Sequence, residues 1–379
     1  MRIAVAGAGI AGLATAIALT RQGFAVDLYE RSAVPEEVGA GIQLSPNAMA
    51  VLERLGLAGD LAACTSEPRG IAIRDALSGA RLAEIPLGET ARRRYGAPYR
   101  LIHRADLQAA LLTAIGREPS IALRRGEEVD GVAETDREVR FRAGGRQSQA
   151  DLLIAADGIH SHTRTRYFGY RGPAPLGRTA WRAMLPSVDV PETVSLDETG
   201  LWLGPGAHLV HYPVRRGAAL NLVVIGEGPA RTRPPRGPFG RKAQQLLDAV
   251  PAWTPWPLSA VDTSRPWARG RVLLVGDAAH AMAPSAAQGG AQAIEDAWFL
   301  AQALAHDPAA PVDALARYER ARRPRVERIV TEAARNLAIY NLRGLPAFAR
   351  NLALRTSPAL LLLMRLDWLF TPDPSVKNS

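Results

Sequence analysis

A glycine-rich turn near the start of the chain has residue types and a spacing that suit phosphate binding. Gly7, Gly9 and Gly12 form a G-x-G-x-x-G pattern between a short apolar run and a segment with helical spacing. Gly7 permits a tight turn, Gly9 lets the backbone approach a pyrophosphate, and Gly12 lets the helix pack closely on the strand. Glu30, after the next apolar run, stands where a carboxylate binds ribose hydroxyls. The pattern predicts a dinucleotide site.

Two aspartates end later strand-like runs. Asp157 closes an apolar run and precedes a glycine, and Asp277 follows Gly276 at the end of a second apolar run. Downstream of Asp277 come a Gln-Gly-Gly segment and a Glu-Asp pair. Each motif alone is also what a strand closing in a turn produces. Their order and spacing after the glycine fingerprint make the combination specific.

These three motifs together resemble the single-component FAD-dependent aromatic hydroxylases, the p-hydroxybenzoate hydroxylase family, and most closely its salicylate hydroxylase-like branch. The resemblance runs from Arg2 to Leu369. It implies FAD as cofactor and NADH or NADPH with O2 as co-substrates. The implied reaction is hydroxylation of a small phenolic or N-heteroaromatic ring, with or without a carboxylate, through a flavin C4a-hydroperoxide. No second glycine fingerprint is present, which argues against disulfide reductases that bind two dinucleotides.

The resemblance also implies which residues contact FAD. Glu30 would hold the adenosine ribose, Arg104 would reach the pyrophosphate or ribityl region, and Val129 would touch the adenine through its backbone. Asp157 would help bind FAD and the nicotinamide cofactor, and Asp277 would bind the ribityl chain. The implied cofactor-binding set is Gly7, Gly9, Ile10, Ala11, Gly12, Glu30, Arg31, Gly41, Arg104, Val129, Asp157, Asp277, Ala287, Gly289 and Gly290. The last three belong to a helix N-terminus, which would stabilise the anionic reduced flavin.

The strand-like segment from Gly206 to Pro213 supplies the candidate catalytic residues. A period of two puts His208 and Tyr212 on one face and His211 on the other. The H-x-x-x-Y-P spacing resembles the family segment that brings a His and a Tyr to the substrate. A histidine with a pKa near its ordinary value of about 6.5 can accept a phenolic proton at neutral pH. We predict His208 and Tyr212 as catalytic, with His211 taking the place of His208 if the strand is bulged.

Other residues are candidates for the substrate pocket. Arg182 could anchor a substrate carboxylate, and Trp202 could line the pocket, although a strand tryptophan is more often core. Pro284 and Ser285 precede the predicted flavin-facing helix and complete this set. His280, after the Gly-Asp pair, is interpreted as structural. The pattern leaves the identity of the aromatic substrate open.

The elements that must position these residues predict an α/β fold in two sheets. Apolar runs and helical spacing favour a Rossmann-like FAD-binding domain over residues 1–171 and 268–310. Residues 172–267 change to alternating strands with proline-rich connections, which predicts an inserted antiparallel sheet for the substrate. Residues 311–379 are predicted as C-terminal helices, with Pro324 as a candidate kink in the first of them.

Composition excludes several classes of protein. The chain has 379 residues, 47% of them apolar, and a formal net charge of +9. Lys242 and Lys377 are the only lysines, and the arginines are mixed with acids. We interpret this as an arginine-rich surface and predict no nucleic acid partner, although such a field favours anionic small molecules.

The remaining sequence features concern compartment and assembly. Cys64 is the only cysteine, so no intrachain disulfide can form, and a reducing cytoplasm is expected. The apolar run 358–364 is far shorter than the roughly 20 residues of a membrane span, and the N-terminal apolar run is interpreted as a strand and helix rather than a signal peptide. Neither metal-ligand spacing nor a G-x-S-x-G motif is present. We expect a monomer or homodimer.

Two alternatives stay open at this point. A related FAD-dependent epoxidase or reductase could act on an alkene or isoprenoid, which the apolar tail from Leu352 to Leu369 would favour. A non-catalytic dinucleotide-binding sensor would show no flavin-dependent O2 use. Phenols should drive the hydroxylase, whereas lipids should drive the alkene enzyme.

Overall fold

The computed structural model describes residues 1–34 and 40–373, so the last six residues of the predicted C-terminal region lie outside the described residues. The strands are β1 (Arg2–Ala6), β2 (Ala25–Glu30), β3 (Gly41–Leu44), β4 (Gly70–Asp75), β5 (Arg81–Pro86), β6 (Arg100–His103), β7 (Ile121–Arg125), β8 (Val129–Glu134), β9 (Val139–Ala143), β10 (Arg146–Ala150), β11 (Leu152–Ala155), β12 (Ala174–Pro186), β13 (Thr199–Gly204), β14 (Ala207–Val214), β15 (Ala219–Glu227), β16 (Thr254–Ala260), β17 (Ala268–Arg269) and β18 (Val272–Leu274). The helices are α1 (Ile10–Arg21), α2 (Pro46–Arg54), α3 (Ala58–Ala62), α4 (Gly88–Tyr95), α5 (Arg104–Ile115), α6 (Arg241–Ala249), α7 (Asp277–His280), α8 (Gly289–His306), α9 (Pro311–Tyr340), α10 (Gly344–Thr356), α11 (Ala359–Met364) and α12 (Asp367–Phe370).

The first sheet is the Rossmann-like one that the glycine fingerprint predicts. Its six strands follow the order β17-β18-β11-β1-β2-β7, with β1 parallel to both β2 and β11. The strands β1 and β11 are almost wholly buried because helices cover the sheet, and α1 packs against α5 and α8. Parallel strands bring their carboxyl ends to one edge, so the turns after β1, β2 and β11 meet there. This edge carries the cofactor residues.

The second sheet is larger than the sequence predicts. It has seven strands in the order β16-β12-β15-β14-β13-β4-β5, and β13 pairs with β4 in parallel. The strands β4 and β5 come from residues 70–86, inside the range predicted for the FAD-binding domain. The predicted range 172–267 is therefore incomplete and the sheet is mixed. The edge of β13 needs a partner for its backbone groups, and an earlier segment supplies one.

Helices close the second sheet on two sides. On one face α6 packs its buried side chains into the core around Trp181 and Leu222. On the other, α9 runs without a break through Pro324, so the predicted kink does not end the helix. The helices α10 and α11 pack against β5. This arrangement confirms the predicted fold class of a Rossmann-like domain, an inserted sheet and C-terminal helices.

Within residues 1–34 and 40–373, none of the helices combines the length and the apolar character that crossing a membrane requires.

Candidate functional site

A cleft of about 240 Å³ lies at the carboxyl ends of β1, β2 and β11. It is the place where a Rossmann-like sheet binds a dinucleotide. The structure brings to it seven of the residues implied as cofactor-binding, which are Gly7, Gly9, Glu30, Arg31, Arg104, Val129 and Asp157.

The glycine turn has the geometry of a phosphate cradle. Gly7 has a φ of +99°, and a Cβ there would lie 2.5 Å from the carbonyl oxygen of Ala156. A Cβ at Gly12 would overlap the carbonyl of Gly7, so strand and helix meet only because both are glycine. No atom lies within 4 Å of where a Cβ of Gly9 would be. The turn therefore presents open backbone to the cleft at the N-terminus of α1, where the helix dipole favours phosphate.

Two carboxylates border the cleft. Glu30 accepts hydrogen bonds from the backbone N–H groups of Ala8 (2.7 Å) and Ser32 (2.9 Å), which fix its position. The Oδ2 atom of Asp157 accepts from the backbone and hydroxyl of Thr163 at 3.2 and 3.1 Å, while its buried Oδ1 has no hydrogen-bond partner within residues 1–34 and 40–373. Burial raises the pKa of Asp157. A buried acceptor without a donor is costly, so this oxygen fits a ligand that brings a hydroxyl or amide.

A second group of predicted residues lies at two helix N-termini. The helix α7 begins at Asp277, whose side chain is exposed, and α8 begins at Gly289. Between them Ala287 adopts a left-handed φ of +52°, a conformation that costs a non-glycine residue about 1 kcal/mol or more. The strained turn places the amides of residues 287–290 at the start of α8. They are suited to stabilise negative charge on a bound ring.

A buried ionic cluster, which the sequence does not reveal, joins these two helices to α9. Asp296 accepts hydrogen bonds from the backbone N–H of Gly276 (3.0 Å), from Nε2 of His280 (2.6 Å) and from Nε of Arg322 (2.9 Å). Arg322 also forms an ion pair with Glu295. Burial opposes ionisation of Asp296, but His280 and Arg322 outweigh it and lower the pKa of this carboxyl. His280 is therefore placed inside the protein, as a structural residue would be.

The strand β14, called the roof strand from here on, has the predicted alternation of side chains between its two faces. In β14, His208 lies opposite Ile225 and Tyr212 opposite Asn221, without a bulge. Tyr212 packs directly against Gly41, where a Cβ would overlap the phenol ring. The same apolar cluster includes Met282 and Ala286, which precede α8. Tyr212 is thus brought beside the predicted flavin-facing segments.

His208 is buried and hydrogen-bonded to α9. Its Nδ1 lies 3.2 Å from Oδ1 of Asn341, and the Nδ2 of Asn341 donates to the carbonyl of Leu337 at 2.6 Å. Because that second bond fixes the amide, His208 must donate from Nδ1 and keep Nε2 as the acceptor nitrogen. Burial lowers the pKa of His208 to about 4, although the Asn341 bond raises it. The expectation of an ordinary pKa near 6.5 was wrong because the strand is not half-exposed.

The opposite face of the sheet is core. The ring of His211 lies against Trp202 with centroids 6.2 Å apart, and among the described residues neither ring nitrogen has a hydrogen-bond partner. Trp202 packs with Trp181 and Leu209 in the cluster that α6 covers. The prediction of Trp202 as a pocket residue is therefore corrected, since strand alternation turns it away from Tyr212. Burial lowers the pKa of His211 to about 4 as well.

The two pocket candidates before α8 lie in a short turn. Pro284 begins a short 3-10 turn and is half-buried. Ser285 donates its hydroxyl to the carbonyl of Ala333 in α9, and its place in the substrate pocket stays a prediction. The bond uses the side chain to dock the turn on α9.

Arg182 lies on the same sheet face as Tyr212. It is half-buried and forms no ion pair with the residues of the two described ranges, while its guanidinium lies 5.6 Å from the ring centroid of Trp256. Burial lowers the pKa of Arg182, whereas the nearby Tyr212 raises it. A half-buried cation without a carboxylate partner is electrostatically unfavourable, and a bound anion would stabilise it.

Sequence reasoning missed polar groups on this face. Asn221 accepts a hydrogen bond from the N–H of Gly41 (2.7 Å), and its buried Nδ2 has no hydrogen-bond partner in the part of the chain that the structure describes. Tyr99 donates to Gln43 at 2.6 Å. The alternation of β15 could have indicated Asn221, an isolated amide in an apolar strand. Nothing local indicates that β3 and β6 lie beneath the roof strand.

The two buried histidines predict an acid-sensitive fold. Their folded-state pKa is below that of the unfolded chain, so stability is lost as the pH falls from about 6.5 toward 4. Between pH 7 and 5 each should lower the free energy of unfolding by about 2 kcal/mol. Urea unfolding at the two pH values measures this. In His211→Leu the decline should shrink by about that amount; an unchanged decline would contradict the buried neutral imidazole.

Known proteins match this chain over most of its length. The model of the family described as "FAD binding domain" matches residues 1–333. The chain is 34% identical to 3-hydroxybenzoate 6-hydroxylase of Klebsiella oxytoca over 98% of this chain and 96% of the relative. It is 38% identical to 3-amino-4-hydroxybenzoate 2-monooxygenase of Streptomyces cremeus, covering 90% and 88%. The crystal structure of Klebsiella pneumoniae HpxO complexed with FAD and uric acid matches with a TM-score of 0.86 at 26% identity, covering 98% of this chain and 97% of that one.

The structure combines a cleft at the carboxyl ends of a Rossmann-like sheet with a second, seven-stranded sheet. The chain belongs to the FAD binding domain family. It is an FAD-dependent aromatic hydroxylase, which confirms the predicted resemblance, enzyme class and cofactor and removes the sensor alternative. The roles of individual residues stay predictions.

Proposed function

We propose that this enzyme hydroxylates a phenolic or N-heteroaromatic ring that carries a carboxylate, using NADH or NADPH and O2, in the cytoplasm as a monomer or homodimer. The observation that carries the proposal is Arg182, a half-buried guanidinium without an ion-pair partner in the described ranges, beside Tyr212. A substrate carboxylate would satisfy it through a bidentate, charge-assisted pair. The relatives support this reading, because two of them are named for hydroxybenzoates.

The cleft residues fit FAD. Glu30 would accept from ribose hydroxyls, the open turn at Gly9 would take the pyrophosphate, and the unpartnered Oδ1 of Asp157 would accept from the bound cofactor. Asp277 would border the ribityl chain. Bound flavin supplies the chemistry, which is to take a hydride from the nicotinamide and activate O2 for transfer of one oxygen atom to the ring.

The protein's own side chains orient the ring and move its proton. His208 and Tyr212 lie four residues apart on one strand face, roughly 13 Å along β14, which spans one substituted ring with a hydrogen bond at each end. Nε2 of His208 would accept the phenolic proton and make the ring electron-rich. The hydroxyl of Tyr212 would hold a ring substituent. Burial of both side chains excludes water from this step.

NAD(P)H consumption tests the substrate class. We expect hydroxybenzoates or hydroxypyridine carboxylates to accelerate NAD(P)H oxidation with matched product formation, and the same rings without the carboxylate to do so poorly. Acceleration by alkenes or isoprenoids alone would contradict the proposal and favour the epoxidase alternative. Equal stimulation by phenol and hydroxybenzoate would leave no role for a carboxylate.

Arg182→Leu should raise the KM for a carboxylated substrate by roughly 10–100-fold, the loss of one charge-assisted bond. The KM for the matched substrate without a carboxylate should not change, because the proposed role of Arg182 is to pair with the carboxylate. Arg182→Lys should recover part of the affinity. Equal increases for both substrates would show that Arg182 only supports the sheet.

A further inference from the structure

The helix α10 is oriented against the usual pattern. Its apolar side chains Leu345, Phe348 and Leu352 are 83%, 68% and 53% exposed, at positions i, i+3 and i+7 of one helix face. Two of its polar residues point inward. Arg350 donates to the carbonyls of Ile339 (2.8 Å) and Tyr340 (3.0 Å), and Asn351 donates to Asp75 (2.8 Å). These bonds hold the helix with its apolar face toward solvent.

The next helix extends this surface. In α11, Leu362 and Leu363 are buried, whereas Leu360, Leu361 and Met364 are 52%, 45% and 46% exposed. Both helices pack on β5, the edge strand of the second sheet. We call their outward residues the C-terminal apolar face, consisting of Leu345, Phe348, Leu352, Leu360, Leu361 and Met364. A soluble monomer rarely leaves such a group of large apolar side chains uncovered without a use for it.

Within the described residues, the exposed charge near this face that lacks an ion-pair partner is positive, whereas the neighbouring Asp75 and Asp367 accept hydrogen bonds from Asn351 and Arg94. From Asn341 to Leu366 the chain has four arginines and no aspartate or glutamate. Arg343 is paired with Glu227 at 3.0 Å and Arg350 is directed inward, but Arg355 and Arg365 are exposed and form no ion pair within residues 1–34 and 40–373. Arg355 continues the exposed side of α10 three residues after Leu352.

The exposed apolar side chains and the exposed arginines together indicate whether this face binds a second copy of the chain or another surface. In a two-fold dimer this face would meet its own copy, and the exposed arginines would face like charge, which disfavours association. An anionic lipid surface fits both the apolar side chains and the arginines. Its apolar boundary would bury the leucines and the phenylalanine, and its phosphates would bind the arginines. We propose that the C-terminal apolar face docks the enzyme on an anionic lipid surface. This inference does not depend on the identity of the aromatic substrate.

Vesicle co-sedimentation of the full-length FAD-loaded enzyme tests the proposal. The probes are vesicles of phosphatidylcholine alone and of phosphatidylcholine mixed with phosphatidylglycerol. We expect binding to the anionic vesicles at least about tenfold tighter, and weaker as salt rises. Phe348→Ser combined with Leu352→Ser should weaken binding about tenfold or more through lost apolar burial. Arg355→Glu should weaken it by about tenfold through charge alone.

The control is Val188→Ser, which removes an apolar side chain 89% exposed outside this face and should leave vesicle binding unchanged. All variants should keep the flavin spectrum and the activity on a water-soluble substrate. Equal binding to both vesicle types, or no binding, would overturn the proposal. So would a homodimer in analytical ultracentrifugation that the Phe348 and Leu352 substitutions dissociate, because the face would then serve a second copy.

Discussion

His208→Ala is expected to slow ring hydroxylation by about 10²–10⁴-fold, the usual loss when a general base is removed. The substrate would keep its phenolic proton and react poorly, so more NAD(P)H should be consumed with release of peroxide instead of product. The FAD content should stay unchanged, since His208 lies on the roof strand and hydrogen-bonds to α9 rather than to the cleft. Product formed per NAD(P)H consumed, measured with peroxide release, gives the result.

The control for this prediction is His211→Ala. That residue lies on the other face of β14 in a packed core, so its removal should cost stability but leave product per NAD(P)H unchanged. If His211→Ala were uncoupled while His208→Ala stayed coupled, the substrate pocket would lie on the His211 face of β14. The assignment of His208 as the catalytic residue would then be wrong.

Asp296→Ala is expected to lower the free energy of unfolding by about 3–5 kcal/mol, because it leaves the fully buried Arg322 with one carboxylate fewer. It should also release FAD. Asp296 accepts the N–H of Gly276, the residue before Asp277, and so holds the loop predicted to bind the ribityl chain. Chemical unfolding and the flavin retained after gel filtration measure the two effects.

Asp296→Asn separates charge from shape. The amide oxygen can still accept from Gly276 or Arg322, so part of the FAD affinity should return while stability remains reduced. Asp313→Ala, in the first turn of α9 and outside the cluster, is the matched control and should leave the flavin bound. Full FAD retention in Asp296→Ala would contradict the role of the cluster in positioning the loop.

The cofactor half of the site was readable from the sequence because its requirements are local. A glycine that must have positive φ, a helix start and a carboxylate at a strand end form a pattern within some thirty residues, and Gly7 and Glu30 were identified in this way, whereas Asp157 followed from the family resemblance. The face shared by His208 and Tyr212 followed from strand alternation alone.

The remaining features depend on contacts that are distant in sequence. The pKa of His208 is set by its burial and by Asn341, a partner at the end of α9. Trp202 was misplaced because alternation identifies two faces and cannot say which of them meets the flavin domain. The strands β4 and β5 were missed since β5 includes Arg81 and Glu84 and has no clear apolar period.

The parallel pairing of β13 with β4 has a consequence for synthesis of the chain. At roughly 5–20 residues per second, a ribosome completes β13 on the order of ten seconds after β5. Until then the β4–β5 hairpin has an open hydrogen-bonding edge, and the nascent chain can pair wrongly or with its neighbours. Shuffling residues 172–267 between relatives to exchange substrate range would meet the same difficulty. Residues 172–267 of a relative would need the β4–β5 hairpin of the same relative as a pairing partner. Residues 70–86 should therefore be exchanged together with them.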